Sequence, residues 1–253
     1  MRRTWASFCV AATELVIQAA AASSAGCGTT PALSNGLNYM DVNGQPREYI
    51  IQAPDNYDAS TPHKLVIGYH WRDGTMNNVV ENGFYGLQSL AGDTPTIFIA
   101  PQGLATAGLT PTDRRFATGW SWGGGMSYSV ACSRADVFRA VAVLSGGEIS
   151  GCDGGSLPIA YFGQHGISDS VLGVELGRTL RDHYVQVNDC DAATPPEPQP
   201  GSGTHVVTDY TGCSEGHPVQ WVAFDGDHEP LPSDAGSSDS FTPGLIWKFF
   251  SQF

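Results

Sequence analysis

A chain of 253 residues with 41% hydrophobic and 15% charged residues is long enough to bury one large core. Its net charge of −13, with Lys64 and Lys248 as the only lysines, argues against nucleic acid or an anionic membrane as a partner, because both repel an acidic surface. Residues 1–25 read as a secretory signal peptide. Met1, Arg2 and Arg3 supply positive charge, an apolar stretch broken by Glu14 covers 5–22, and Ser23, Ser24 and Ala25 offer a small-residue cleavage site. Residues 26–253 are then expected to form a single exported domain, secreted to the extracellular space, and no other segment is apolar over a bilayer's width.

Loss of Cys9 with the signal leaves Cys27, Cys132, Cys152, Cys190 and Cys213. Export favours disulfides, and an odd number leaves one cysteine without a partner in the chain. No Cys-x-x-Cys pair occurs, which argues against a metal or redox site. Cys190 and Cys213 bracket a Pro/Gly/Ser-rich loop at 192–203 and are expected to staple its base. Cys27 with Cys152 is the second pairing expected.

Short runs rich in β-branched and aromatic residues predict strands at 48–53, 64–70, 96–100, 115–118, 140–144, 159–165 and 219–224. Most are continuously apolar, as parallel strands covered on both faces are. Helices are predicted near 84–91, 124–134, 172–187 and 244–253, the last with Pro243 suited to its first turn. This alternation predicts an α/β sheet. One crossover is short: after Pro101, Gln102 and Gly103 the strand at 115 follows within about a dozen residues, the least that joins parallel strands. Gly108 and Pro111 interrupt the connection, so it holds no full helix.

The chemistry centres on Gly119-Trp120-Ser121-Trp122-Gly123. A G-x-S-x-G pentapeptide between a strand and a helix places its serine on a sharp, exposed turn. Alone the motif is weak, and its partners decide. In an α/β-hydrolase the acid and then the histidine follow the serine, each beyond the carboxyl end of a strand. Asp169 follows the strand at 159–165, and His228 follows the strand at 219–224. In this triad His228 is the general base for Ser121, and Asp169 fixes the imidazole tautomer. Asp169 could instead cap the helix after it. Asp225 and Asp227 flank the histidine and are the weaker candidates for the acid. The oxyanion hole is expected from the amide of Trp122 and from that of Trp71 or Arg72, in the loop after the strand at 64–70. Trp71, Trp122 and Tyr85 are candidates for a wall against an aromatic substrate. His70 and His165 read as buried, hydrogen-bonded side chains, and His183, His205 and His217 as loop or surface residues.

Several stretches carry a resemblance to a known family. They include 68–72, 100–103, Phe116 to Gly124, 135–146, His165 to Asp169, 216–219 and Ala223 to His228, with a closing match at 249–253. By these residues the chain resembles secreted fungal feruloyl esterases, a group similar to polyhydroxybutyrate depolymerase-like and acetylxylan esterase-like hydrolases. The resemblance implies an α/β-hydrolase fold with a mostly parallel central sheet and helices on both faces. It also implies a serine esterase that needs no cofactor and no metal. The implied enzyme releases hydroxycinnamates such as ferulate from plant cell-wall arabinoxylan; the chain itself is expected to be a monomer. Its triad falls on Ser121, Asp169 and His228. Acetylxylan or hydroxyalkanoate esterase activity is the alternative, and a truncated, catalytically impaired homologue is another. Family members carry a longer segment, with a helix and a cysteine, between the stretches at 101 and 116. Its loss here implies an unpaired Cys132.

Overall fold

Successive residues of the central strands point to opposite faces, and here both faces are apolar. Val66, Phe116, Ala142 and Phe162 enter one core, while Ile67, Ala117, Val143 and Tyr161 enter the other. A strand buried on both sides must sit between two helical layers. The computed structural model describes residues 34–103 and 114–253 and shows that arrangement. The strands are β1 (Gly36–Val42), β2 (Gln45–Gln52), β3 (Lys64–Tyr69), β4 (Thr96–Pro101), β5 (Arg115–Trp120), β6 (Ala140–Leu144), β7 (Ala160–Gly166), β8 (His205–Asp209) and β9 (Val219–Phe224). They form one sheet in the order β1-β2-β4-β3-β5-β6-β7-β9-β8. The six strands from β4 to β9 in that order are parallel, while β1, β2 and β8 pair antiparallel at the edges. The α/β-hydrolase expectation is met.

The helices are α1 (Met76–Glu81), α2 (Leu87–Ala91), α3 (Trp122–Arg134), α4 (Val174–Val187) and α5 (Thr242–Phe250). Those of the first core are α1, α2 and α5; α3 and α4 pack on the other face. Phe250 of α5 is fully buried and stacks on Phe116 at 4.6 Å between centroids. Each such side chain contributes about 1.5–3 kcal/mol by leaving water. Pro243 sits in the first turn of α5, where its missing N–H costs nothing.

The edge strands β1 and β8 and the six-residue α1 were not expected. β1 and β2 form a hairpin through Asn43 and Gly44, both at positive φ (55° and 78°), as a tight two-residue loop demands. The helix expected at 84–91 is only α2. Gly83, Phe84, Tyr85 and Gly86 precede it with φ of 63°, 55°, 59° and 78°, a complete left-handed turn. That conformation costs an L-residue roughly 1–2 kcal/mol, so Phe84 and Tyr85 must be held in it by their surroundings.

Two disulfides close the described residues, Cys132–Cys152 and Cys190–Cys213. The second is the expected staple. The first corrects the Cys27–Cys152 pairing and the unpaired Cys132. Cys132 lies in the last turn of α3, and its carbonyl accepts from Gly155 N–H at 2.9 Å. That contact draws the loop carrying Cys152 against the helix end. Cys9 and Cys27, the expected signal peptide at 1–25 and the short connection at 104–113 lie outside the described residues.

Candidate active site

The order of strands reverses direction around β3: the chain goes to β4 on one side, then to β5 on the other. Such a switch point opens a crevice beyond the carboxyl ends of the two strands, where sheets of this class bind ligands. The loop leaving β3 carries His70, Trp71 and Arg72, and β5 leads directly into Ser121 and then α3.

Ser121 adopts φ 59° and ψ −119°, a strained turn between strand and helix. Backbone bonds fix it: its N–H donates to Leu144 at 2.9 Å, and its carbonyl accepts from Gly125 at 2.9 Å. The flanking glycines are required by contact. A Cβ at Gly119 would lie 2.5 Å from the backbone of Gly123, and one at Gly123 would lie 2.3 Å from the Tyr69 carbonyl oxygen.

The structure brings Ser121, His228 and Asp169 into one hydrogen-bonded line. Ser121 Oγ lies 2.9 Å from His228 Nε2, and His228 Nδ1 lies 2.8 Å from Asp169 Oδ2. Asp169 does not cap α4, whose N-cap is Gly173. Its Oδ1 accepts from the amides of Val171 (2.9 Å) and Leu172 (2.7 Å), and its Oδ2 also lies 3.2 Å from His165 Nε2. Burial disfavours its charge, but the bonds from His165, His228, Leu172 and Val171 together outweigh burial and bring its pKa down to about 2. A carboxylate depressed from 3.8 in the unfolded chain to about 2 stabilises the fold fully above pH 4. Thermal unfolding followed between pH 6 and pH 2 is therefore expected to show a loss of about 2 kcal/mol from this group, most of it between the two values. An Asp169→Ala variant is expected to lack that component.

Neither neighbouring aspartate faces the imidazole. Asp225 accepts from Gly203 N–H at 2.7 Å. Asp227 ties the loops after β7 and β9 together: its Oδ1 accepts from Ser170 N–H (2.6 Å), Ser170 Oγ (2.8 Å) and His228 N–H (2.8 Å). These bonds hold its pKa below the usual carboxylate value.

His165 is buried as expected, with Nε2 2.6 Å from the Leu172 carbonyl. His70 is only half-buried, and it braces the loop after β3: Nδ1 donates to Trp71 O (2.8 Å) and Nε2 accepts from Gly103 N–H (3.2 Å). His205 is on strand β8 rather than in a loop; it bonds Asp234 at 2.8 Å and stacks on Phe241. His183 lies on α4 and bonds the Gly155 carbonyl at 2.7 Å.

Of the expected oxyanion donors, Trp122 is the first residue of α3, where N–H groups have no acceptor within the helix. Trp71 and Arg72 lie across the crevice in a turn closed by Gly74 N–H to Trp71 O at 3.0 Å. The Arg72 side chain points to solvent. Of the expected aromatic wall, Trp122 is 44% exposed and Trp71 half-buried. Tyr85 does not belong to the wall: it is fully buried, with its hydroxyl bound to backbone atoms. The aromatic group that sequence reasoning passed over is Trp120. Its indole packs 4.8 Å from the His228 ring and meets Trp71 edge-on at 5.4 Å. Its place as the last residue of β5, immediately before the serine, was the available signal.

No protein-family model matches the chain. Curated relatives do. It is 47% identical to feruloyl esterase C of Emericella nidulans, over 90% of this chain and 91% of the relative. It is 41% identical to feruloyl esterase D of Neurospora crassa, over 93% and 92%. The first alignment runs over 256 positions, more than this chain possesses, so the relative holds residues that are lacking here. Among solved structures, a ferulic acid esterase of Anaeromyces mucronatus in complex with ferulic acid superposes with a TM-score of 0.56 at 13% identity, over 91% of this chain and 95% of the other. Acetyl xylan esterase from Aspergillus awamori gives 0.54 at 15% identity, over 85% and 100%. These two establish the fold. With its relatives at 41–47% identity over nine-tenths of both chains, the chain belongs to the family of fungal feruloyl esterases.

Proposed function

We propose that the chain is a secreted serine esterase that hydrolyses feruloyl esters of plant cell-wall arabinoxylan through an acyl-enzyme. The line from Ser121 through His228 to Asp169 is the observation that carries this reading. His228 Nε2 takes the hydroxyl proton as Ser121 Oγ attacks the ester carbonyl. Asp169 Oδ2, accepting from Nδ1–H, fixes the tautomer that leaves Nε2 free and then stabilises the imidazolium. The oxyanion is held by the amide of Trp122 and by that of Trp71 or Arg72. His228 returns the proton to the leaving sugar hydroxyl, and water enters by the same route to release the acid. Trp120 and Trp71 supply the aromatic face for the hydroxycinnamoyl ring.

Rates with methyl ferulate and with methyl acetate, which share a leaving group, test the substrate class. A kcat/KM for methyl ferulate that exceeds that for methyl acetate by about two orders of magnitude is expected if the ring is bound in the transition state. Turnover of acetate esters alone would overturn the feruloyl reading in favour of an acetylxylan-type enzyme.

A further inference from the structure

The ladder between β3 and β5 ends at the pair Tyr69 and Gly119. One step beyond, the two chains part: β3 continues into the loop of Trp71 and Arg72, and β5 into Trp120 and Ser121. The hydroxyl of Tyr85 occupies that point of divergence. It donates to the Tyr69 carbonyl at 2.5 Å and accepts from the Trp120 N–H at 3.3 Å. A side chain thus stands in for the next backbone rung. Burial pushes the phenol pKa well above its ordinary value, so the group stays protonated and can serve both partners.

The left-handed turn explains how the hydroxyl arrives there. Phe84 and Tyr85 are both fully buried, and at positive φ they turn inward towards β3 and β5. Asn82 holds the turn, its Oδ1 accepting from Tyr85 N–H at 2.9 Å and its carbonyl from Gly86 N–H at 3.0 Å. A Cβ at Gly86 would meet Pro243 at 2.7 Å, so the turn is also wedged from α5. Strain held in place by its surroundings at the edge of a site points to a function.

We infer that Tyr85 is a positioning residue: its hydroxyl sets the distance between the nucleophile turn and the loop that supplies the second oxyanion donor. This rests on the reading of Ser121 as nucleophile. Tyr85→Phe keeps the ring and its packing while removing the rung. Small displacements of this kind cost about 10- to 100-fold in rate, so kcat for methyl ferulate is expected to fall by about that factor with KM within about threefold. The affinity for phenylboronic acid, which forms a tetrahedral adduct on the serine, is expected to fall in parallel, while competition by free ferulate is unchanged. A merely structural role would not separate these two inhibitors. Asn82→Ala, which frees the turn, is expected to act in the same direction, and Asn82→Asp, which keeps the acceptor, to restore most of the rate; this pair decides the matter if Tyr85→Phe does not fold. A kcat within about threefold of the parent, or a boronate affinity that does not follow kcat, would overturn the inference. Ser121→Ala run alongside separates the two readings: if it retains activity, the nucleophile assignment fails first.

Discussion

Ser121→Ala is expected to lower kcat for methyl ferulate by at least about 10⁴-fold, leaving only what oriented binding and the oxyanion hole supply over water. The fold should be indifferent to the change. The bonds that hold position 121 come from its own backbone, to Leu144 and Gly125, and the alanine Cβ occupies the place of the serine Cβ at the same φ of 59°. The side chain gives up one hydrogen bond, to His228 Nε2. Unfolding temperature should therefore stay within a few degrees of the parent while activity and fluorophosphonate labelling disappear together. A variant that keeps hydrolysing methyl ferulate at more than a hundredth of the parental rate would show that the acyl acceptor is elsewhere.

Asp169→Asn is the second large effect, and it follows from a count of donors. The carboxylate faces N–H groups on both sides: Val171 and Leu172 amides at Oδ1, His228 and His165 at Oδ2. Asparagine has one oxygen to offer. Turned towards the loop, it presents its NH₂ to the imidazoles, and His228 must adopt the tautomer that protonates Nε2 and so cannot accept the serine proton. Turned the other way, it leaves two buried amides facing a donor, at about 1–3 kcal/mol each. Either orientation is harmful, and the first costs about 10⁴-fold in kcat. The check is kcat together with the unfolding temperature. A loss of stability with retained activity marks the second orientation, and a variant unchanged in both would contradict the hydrogen-bond assignment.

The juxtaposition of Ser121, Asp169 and His228 was legible in the sequence because it is set by strand ends, and the strands that carry these residues are the most apolar ones. Ser121, Asp169 and His228 each stand just beyond a run that is buried on both faces. The edges were not legible on the same signal. β8 is half-exposed and polar, and β1 alternates weakly around Asn38 and Asp41. The Asn43-Gly44 pair announces the β1–β2 hairpin by turn chemistry instead of hydrophobicity. Tyr85 was misread for a different reason. Nothing in Phe84 or Tyr85 favours positive φ; only the tertiary contacts that bury them impose the turn, so an aromatic residue that looks like a surface wall lies beneath the floor. Cys132 reads as unpaired when the family's extra cysteine is missing, but its partner Cys152 is set by where α3 ends relative to the next loop, which neither the resemblance nor spacing reveals.

Helix α3 starts at the serine and runs antiparallel to the strands, so Cys132 in its last turn lies at the opposite rim of the sheet, and Cys190 and Cys213 lie there too, after α4 and before β9. The covalent ties hold the base of the molecule, while the rim that carries Ser121 and His228 is joined by hydrogen bonds such as those of Asp227 and Ser170. Among the described residues the cysteine sulfurs therefore lie away from Ser121 and His228. A reductant acts on the site through the stability of the fold, by freeing the chain at the far rim, and not on the reacting groups.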